Sequence, residues 1–169
     1  MPRDGMPATW PTSMAYPVDL TGVALVAALV LLAPPGVQSA SADDLVEYEI
    51  VNGAIPEPLT NRSGNPARGR EIVRDIRNAT CLICHQMPIS EEPDQGDIGP
   101  PLHGVGNRLT PGELRLRIVD SQAINPDTIM PPYYRVEGLY RVGEAYRGRP
   151  IYSAQQVEDV VAYLSQLRE

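Results

Sequence analysis

The stretch "NATCLICHQMP", residues 78 to 88, holds both cysteines of the chain, Cys81 and Cys84, and one of its two histidines, His85. Two thiols three positions apart with an imidazole directly behind them admit three chemistries. A structural zinc ion takes four ligands, and the chain offers only Cys81, Cys84, His85 and His103. The adjacency of Cys84 and His85 makes chelation by both awkward. A thiol–disulfide centre needs its Cys-x-x-Cys at a helix N-terminus, where the dipole lowers the thiol pKa; here a helical run precedes the pair. The third chemistry is covalent haem attachment, in which the thiols add to two vinyl groups and the following histidine ligates the iron. It consumes both cysteines and leaves no disulfide to place. One covalently attached haem c, with His85 as its proximal ligand, is therefore the favoured expectation.

A sixth ligand must then come from elsewhere in the chain. Of five methionines, Met1, Met6 and Met14 lie in the N-terminal leader and Met87 follows His85 too closely to reach the opposite haem face. Met130 in "NPDTIMPPYY" sits in a long irregular segment, where the Pro-Pro behind it holds the chain extended. It is the preferred distal ligand. The competing readings are Met130 as core filler and His103 as the sixth ligand. His/Met ligation predicts a higher potential than bis-histidine, because a thioether favours ferrous iron.

These groups have to be positioned by a small, acidic, loop-rich chain. Its 169 residues include 18 Pro and 14 Gly, every basic residue is Arg, and the formal charge is −7. That balance opposes nucleic-acid binding, which needs basic surface against phosphate. "GVALVAALVLLA" (22–33) has the length of a signal-peptide core and is too short to cross a bilayer comfortably. Ala40-Ser41-Ala42 follows as a cleavage signal, so residues 1–42 are expected to be an export signal removed after Ala42, with a retained anchor helix as the alternative. Residues 43–65 read as an irregular extended arm lying on the domain surface, in which "VEYEIV" alternates like a short strand until Pro56 and Pro58 stop it.

The domain proper is expected over 66–169. Its first helix should open at Asn65-Pro66, with Ile72, Val73 and Ile76 on one apolar face running directly into the cysteine motif. Residues 86–98 form a loop whose Glu91, Glu92, Asp94 and Asp97 suit a solvated turn. "TPGE" (110–113) and "SAQQ" (153–156) are capping signals for two more helices. Leu114 and Ile118 face the core from the former, and Val157, Val160, Val161, Leu164 and Leu167 from the latter. Residues 121–150 are nearly all loop, and so long an irregular segment in a compact domain needs something to fold around.

"GPPLHGVGNR" (99–108) resembles the segment that follows the haem motif in class I cytochromes c. That resemblance implies an all-α fold of few helices around the covalent haem, with long irregular loops and the N-terminal arm as an addition. It implies that the Pro100 carbonyl accepts the Nδ1–H of His85, that Leu102 packs on the haem edge, and that Arg108 lies near a propionate. It also implies that the first and last helices cross beside the haem, with Gly69 and Tyr163 as the nearest candidates. His103 falls at a peripheral position.

The whole of residues 46–168 resembles the SoxX family, the monohaem subunits of the SoxAX cytochromes of bacterial sulfur oxidation. The matching pieces are "IVNGAIPEPLT" (50–60), "GREIV" (69–73), "GPPLHGVGNR", "LRLRIVDSQAINPDTIMPPYYRVEGLYRV" (114–142) and "IYSAQQVEDVVAYLSQL" (151–167). The resemblance implies a periplasmic heterodimer with a SoxA-like haem subunit, which conjugates thiosulfate oxidatively to a cysteine of the carrier SoxY. In this L-cysteine S-thiosulfotransferase the present chain would be the non-catalytic haem subunit, with no membrane contact after signal cleavage. It would take electrons and pass them to a soluble cytochrome, and no catalytic nucleophile is left on it once both thiols hold haem. The alternative is a freestanding class I cytochrome c. Tyr133, Tyr134, Tyr140, Tyr146 and Tyr152 gather around the proposed Met130 loop and suit either a SoxA-facing surface or packing around the haem.

Overall fold

The computed structural model describes residues 45–77 and 81–168. The export signal expected over residues 1–42 lies outside the described residues. In chain order these form α1 (Pro66–Arg74), α2 (Cys81–Cys84), α3 (Val105–Arg108), α4 (Pro111–Asp120) and α5 (Ala154–Gln166), with 3₁₀ turns at Ser121–Ala123 and Glu144–Tyr146. No strand forms among the described residues. An isolated bridge between Val51 and Ala54 closes the turn over Asn52 and Gly53, and "VEYEIV" forms no strand. The all-α expectation holds.

The helix starts follow local chemistry. Asn65 Oδ1 accepts from Ala67 N and Arg68 N at 3.0 and 3.2 Å, and Pro66 occupies the first turn, where its missing N–H costs nothing. Thr110–Glu113 and Ser153–Gln156 both close reciprocal capping boxes. The end of α1 differs from expectation. The Asp75 N–H bonds the Ile72 carbonyl at 3.1 Å and the backbone there leaves the helical region, so Ile76 falls outside the helix and is exposed.

The frame of the domain is the crossing of α1 over α5, at the pair of residues suggested by the class I resemblance. A Cβ on Gly69 would overlap the Asp159 carbonyl oxygen and lie 2.8 Å from Tyr163 Cβ. Only glycine allows so close an approach. The apolar stripe of α5 (Val157, Val160, Val161, Leu164) meets Val73 from α1 and Leu114 and Ile118 from α4 in one core. Full burial of each such aliphatic side chain stabilises the fold by about 1.5–3 kcal/mol. Leu167, at the C-cap of α5, is only half-buried.

The arm does more than lie along the surface. Ile55 and Leu59 are core residues, and Ile55 N donates to the Gly112 carbonyl at 3.0 Å. Arg115 on α4 donates from Nε and Nη2 to the two Glu158 oxygens on α5 at 2.7 and 2.8 Å, and from Nη1 to Ile55 O at 2.6 Å. Glu158 Oε1 also accepts Leu59 N at 2.9 Å. A guanidinium fork thus joins α4, α5 and the arm, with every member hydrogen-bonded as buried charge requires. Covered by the arm on one side, α4 is buried well beyond Leu114 and Ile118: Arg115, Leu116, Val119 and Asp120 are also inside.

Part of the acidic loop is occupied internally. Glu91 pairs with Arg70 and Glu92 with Arg74 at 2.7 Å, while Asp94 and Asp97 face water. Gln95 organises the loop from within, accepting Met87 N and donating to Ile89 O and Glu92 O.

Candidate functional site

Beside the core helices lies a cavity of about 580 Å³. That volume is inside the range of about 300–1,000 Å³ usual for cofactor and small-molecule sites. Cys81, Cys84 and His85 line one part of it, with Pro100, Leu102 and Arg108 beside them, and Met130 lines it from the far loop. The structure therefore brings all seven candidate residues to one cavity. His103 is exposed and outside the lining. Met87 also lines the cavity and is packed in the core, at 4% exposure.

The cysteine pair comes after a helix, as its sequence setting suggested: α1 ends at Arg74. The pair also spans a helical turn of its own, α2, from Cys81 to Cys84. A second feature opposes thiol–disulfide chemistry. A redox-active thiol needs a lowered pKa, whereas burial pushes the Cys81 thiol up, outweighing the smaller lowering from the Tyr152 and Tyr133 hydroxyls. The two thiols form no disulfide with each other. One helical turn presents them to the same cavity, as addition to two neighbouring vinyl groups requires.

The loop after the motif is zipped to it by main-chain bonds. Gly96 N donates to Leu82 O at 2.8 Å, Gly99 N to Cys84 O at 2.7 Å and Leu102 N to Gln86 O at 2.8 Å. This brings the Pro100 carbonyl 2.7 Å from His85 Nδ1. A carbonyl can only accept, so Nδ1 is the donor; in the neutral ring this leaves the lone pair on Nε2, the tautomer that binds a metal. Gly99 lies flat against the imidazole: a Cβ there would come within 2.6 Å of Nδ1 and overlap the ring. Sequence reading missed this second contact, although the Gly-Pro pair was its visible trace.

Arg108, at the end of α3, is exposed and donates to the carbonyls of His103 and Pro101 at 2.5 and 2.9 Å. It clamps the 100–104 loop while bordering the cavity. Leu102 is half-buried and packs against the core. Ile98 and Ile129, 63% and 79% exposed, add an apolar rim.

The tyrosines divide. Tyr133 and Tyr152 are buried, line the cavity and stack with ring centroids 4.6 Å apart at 17°. The Tyr152 hydroxyl lies 3.9 Å from Cys81 Sγ, and burial drives its pKa far above the usual phenol value. Tyr134, also buried, accepts Val46 N from the arm at 2.7 Å. Tyr140 is 90% exposed. Three of the five are therefore packing residues and one faces water.

The family described as Cytochrome c matches residues 66–168. The chain belongs to the cytochrome c family. Membership brings the class I cytochrome c-like all-α fold, an electron-transfer domain and, as the family implies, covalent haem c. The crystal structure of SoxXA from P. pantotrophus contains a chain 36% identical to this cytochrome, with a TM-score of 0.66. The match covers 75% of the present chain and 99% of that one. Within its family this is thus a SoxX-like cytochrome. No curated protein sequence matches it. No helix among the described residues is long and apolar enough to cross a membrane.

Proposed function

We propose that this cytochrome is the monohaem electron-transfer subunit of a SoxAX-type complex. Cys81 and Cys84 anchor one haem c, His85 is the proximal iron ligand and Met130 the distal one. The observation that carries the reading is the convergence of these four residues on a single apolar cavity, with His85 already oriented through Nδ1 by the Pro100 carbonyl at 2.7 Å. When bound, the haem supplies a reversible one-electron couple of the iron. The protein's own part is to hold that couple: Pro100 fixes the imidazole tautomer, Leu102 and the Tyr133–Tyr152 stack exclude water, and Arg108 offers positive charge at the edge.

Joining thiosulfate to a carrier thiol forms one S–S bond and releases the thiol proton and two electrons. This chain takes the electrons one at a time and passes them to a soluble cytochrome, while a SoxA-like subunit performs the conjugation on a SoxY-type carrier. The chain's part is non-catalytic, because both of its thiols are committed to haem. The exposed Ile98 and Ile129 at the cavity rim support a partner-covered edge, since apolar patches beside a site mark interaction surfaces. The complex would work in the periplasm, after removal of the segment ending at Ala42.

The test is to purify the haem-loaded protein from periplasm and count subunits and haems. A pair of haem subunits reduced by thiosulfate in the presence of a SoxY-type carrier is the expected result. A monomer that thiosulfate cannot reduce sinks the Sox assignment and leaves a freestanding carrier. In either case Met130→Ala should abolish the methionine-to-ferric-iron charge-transfer band, and survival of that band would overturn the ligand assignment.

A further inference from the structure

Met130 is half-buried against the core, in a loop whose main chain makes few hydrogen bonds of its own. Pro131 and Pro132 behind it have no N–H to donate, and Pro131 restricts Met130 to extended backbone. Its neighbour Ile129 is 79% exposed at the cavity rim and adds little packing. The loop is tied to the protein before this point by Thr128 N donating to Asn125 O at 3.1 Å, and after it by Tyr133 N donating to Ile118 O at 3.0 Å. In between, two hydroxyls take both main-chain polar groups of Met130. Ser121 Oγ donates to the Met130 carbonyl at 2.6 Å, and Met130 N donates to Thr128 Oγ1 at 3.2 Å. Ser121 is only 6% exposed, placed where α4 gives way to the 3₁₀ turn, and both hydroxyl residues line the same cavity as Met130.

We propose that Ser121 and Thr128 are positioning residues for the distal ligand: they hold the Met130 backbone so that its thioether faces into the cavity, and they set how readily it leaves. This rests on the reading of Met130 as the sixth ligand. The physical basis is the loss of the donor that the half-buried Met130 carbonyl has in the closed loop. Ser121→Ala removes the donor in the closed loop, whereas in an opened loop the carbonyl is free to bond water. A neutral hydrogen bond of this kind shifts such an equilibrium about two- to tenfold. A ligand that binds only when Met130 has left then gains the same factor in apparent affinity.

The experiment titrates imidazole into the ferric, haem-loaded protein and follows loss of the methionine-to-iron charge-transfer band. Ser121→Ala and Thr128→Val are compared with the parent. Ser165→Ala serves as the control, because it deletes a hydroxyl bond of similar length (Ser165 Oγ to Val161 O, 2.8 Å) within α5 and outside the cavity lining. The expected result is imidazole affinity raised about two- to tenfold in the two loop variants and unchanged in the control. A parent that shows the band, with loop variants that match it in affinity, overturns the positioning role and leaves the ligand reading standing. An equal rise in the control overturns it too, as general loosening. A parent without the band overturns the ligand reading itself, and this inference with it.

Discussion

Replacing Arg115 by methionine is the sharpest probe of what holds the arm to the helices. The Arg115 and Glu158 side chains are 4% and 5% exposed, and three short bonds run from the guanidinium to Glu158 and Ile55. Without it Glu158 keeps the Leu59 N–H and nothing to balance its charge. Removing one partner of a buried pair costs about 3–5 kcal/mol. That is a large part of the about 5–15 kcal/mol by which such domains are stable. The double variant Arg115→Met/Glu158→Leu removes both charges and should recover about 1–4 kcal/mol of the loss. It still leaves the Leu59 N–H and the Ile55 carbonyl without partners, at about 1–3 kcal/mol each, so it stays below the parent. Urea unfolding of the haem-loaded proteins, followed by circular dichroism, measures all four corners of the cycle. The reasoning is refuted if Arg115→Met lies within about 1 kcal/mol of the parent. It is equally refuted if the double variant loses the sum of the two single ones.

Two further outcomes follow from the frame and the caps. Gly69→Ala gains up to about 1 kcal/mol of helix propensity, yet its Cβ would overlap the Asp159 carbonyl, so a net loss of about 1–3 kcal/mol is expected; an unchanged urea midpoint would show that α1 and α5 separate freely. The Thr110 backbone N–H, and secondarily its hydroxyl, hold the Glu113 carboxyl below its ordinary value. A depressed carboxylate stabilises the fold above its unfolded pKa, and that contribution is lost as pH falls through the folded value. The stability gap between parent and Glu113→Gln should therefore hold at neutral pH and close on acidification below the ordinary 4.5; a gap that widens in acid would contradict the assignment.

What the sequence determined by itself is what neighbours in the chain decide among themselves. Asn65-Pro66, Thr110–Glu113 and Ser153–Gln156 start helices because each cap satisfies donors two or three residues away. The Cys81–Cys84–His85 spacing narrowed the chemistry because reactivity at that range needs no tertiary context. The Pro-Pro after Met130 marked a loop that could reach a cofactor. Even the approach of α1 to α5 was visible through resemblance, although composition and periodicity said nothing of it.

The tertiary structure decided whatever depends on partners far along the chain. The helix over Cys81–Cys84 runs beside a loop whose main-chain bonds reach back from Gly96, Gly99 and Leu102. The arm enters the core because Arg115 and Glu158, drawn from two helices, meet the Ile55 carbonyl and the Leu59 N–H. Neither residue stands out in a chain rich in Arg and acidic side chains. Ser121, at the end of a helix, could be matched to Met130 only once the intervening loop had folded back. Local hydrogen-bonding rules are written residue by residue, whereas burial and long-range pairing belong to the closed chain, and in this cytochrome the cavity wall is built almost entirely from the latter.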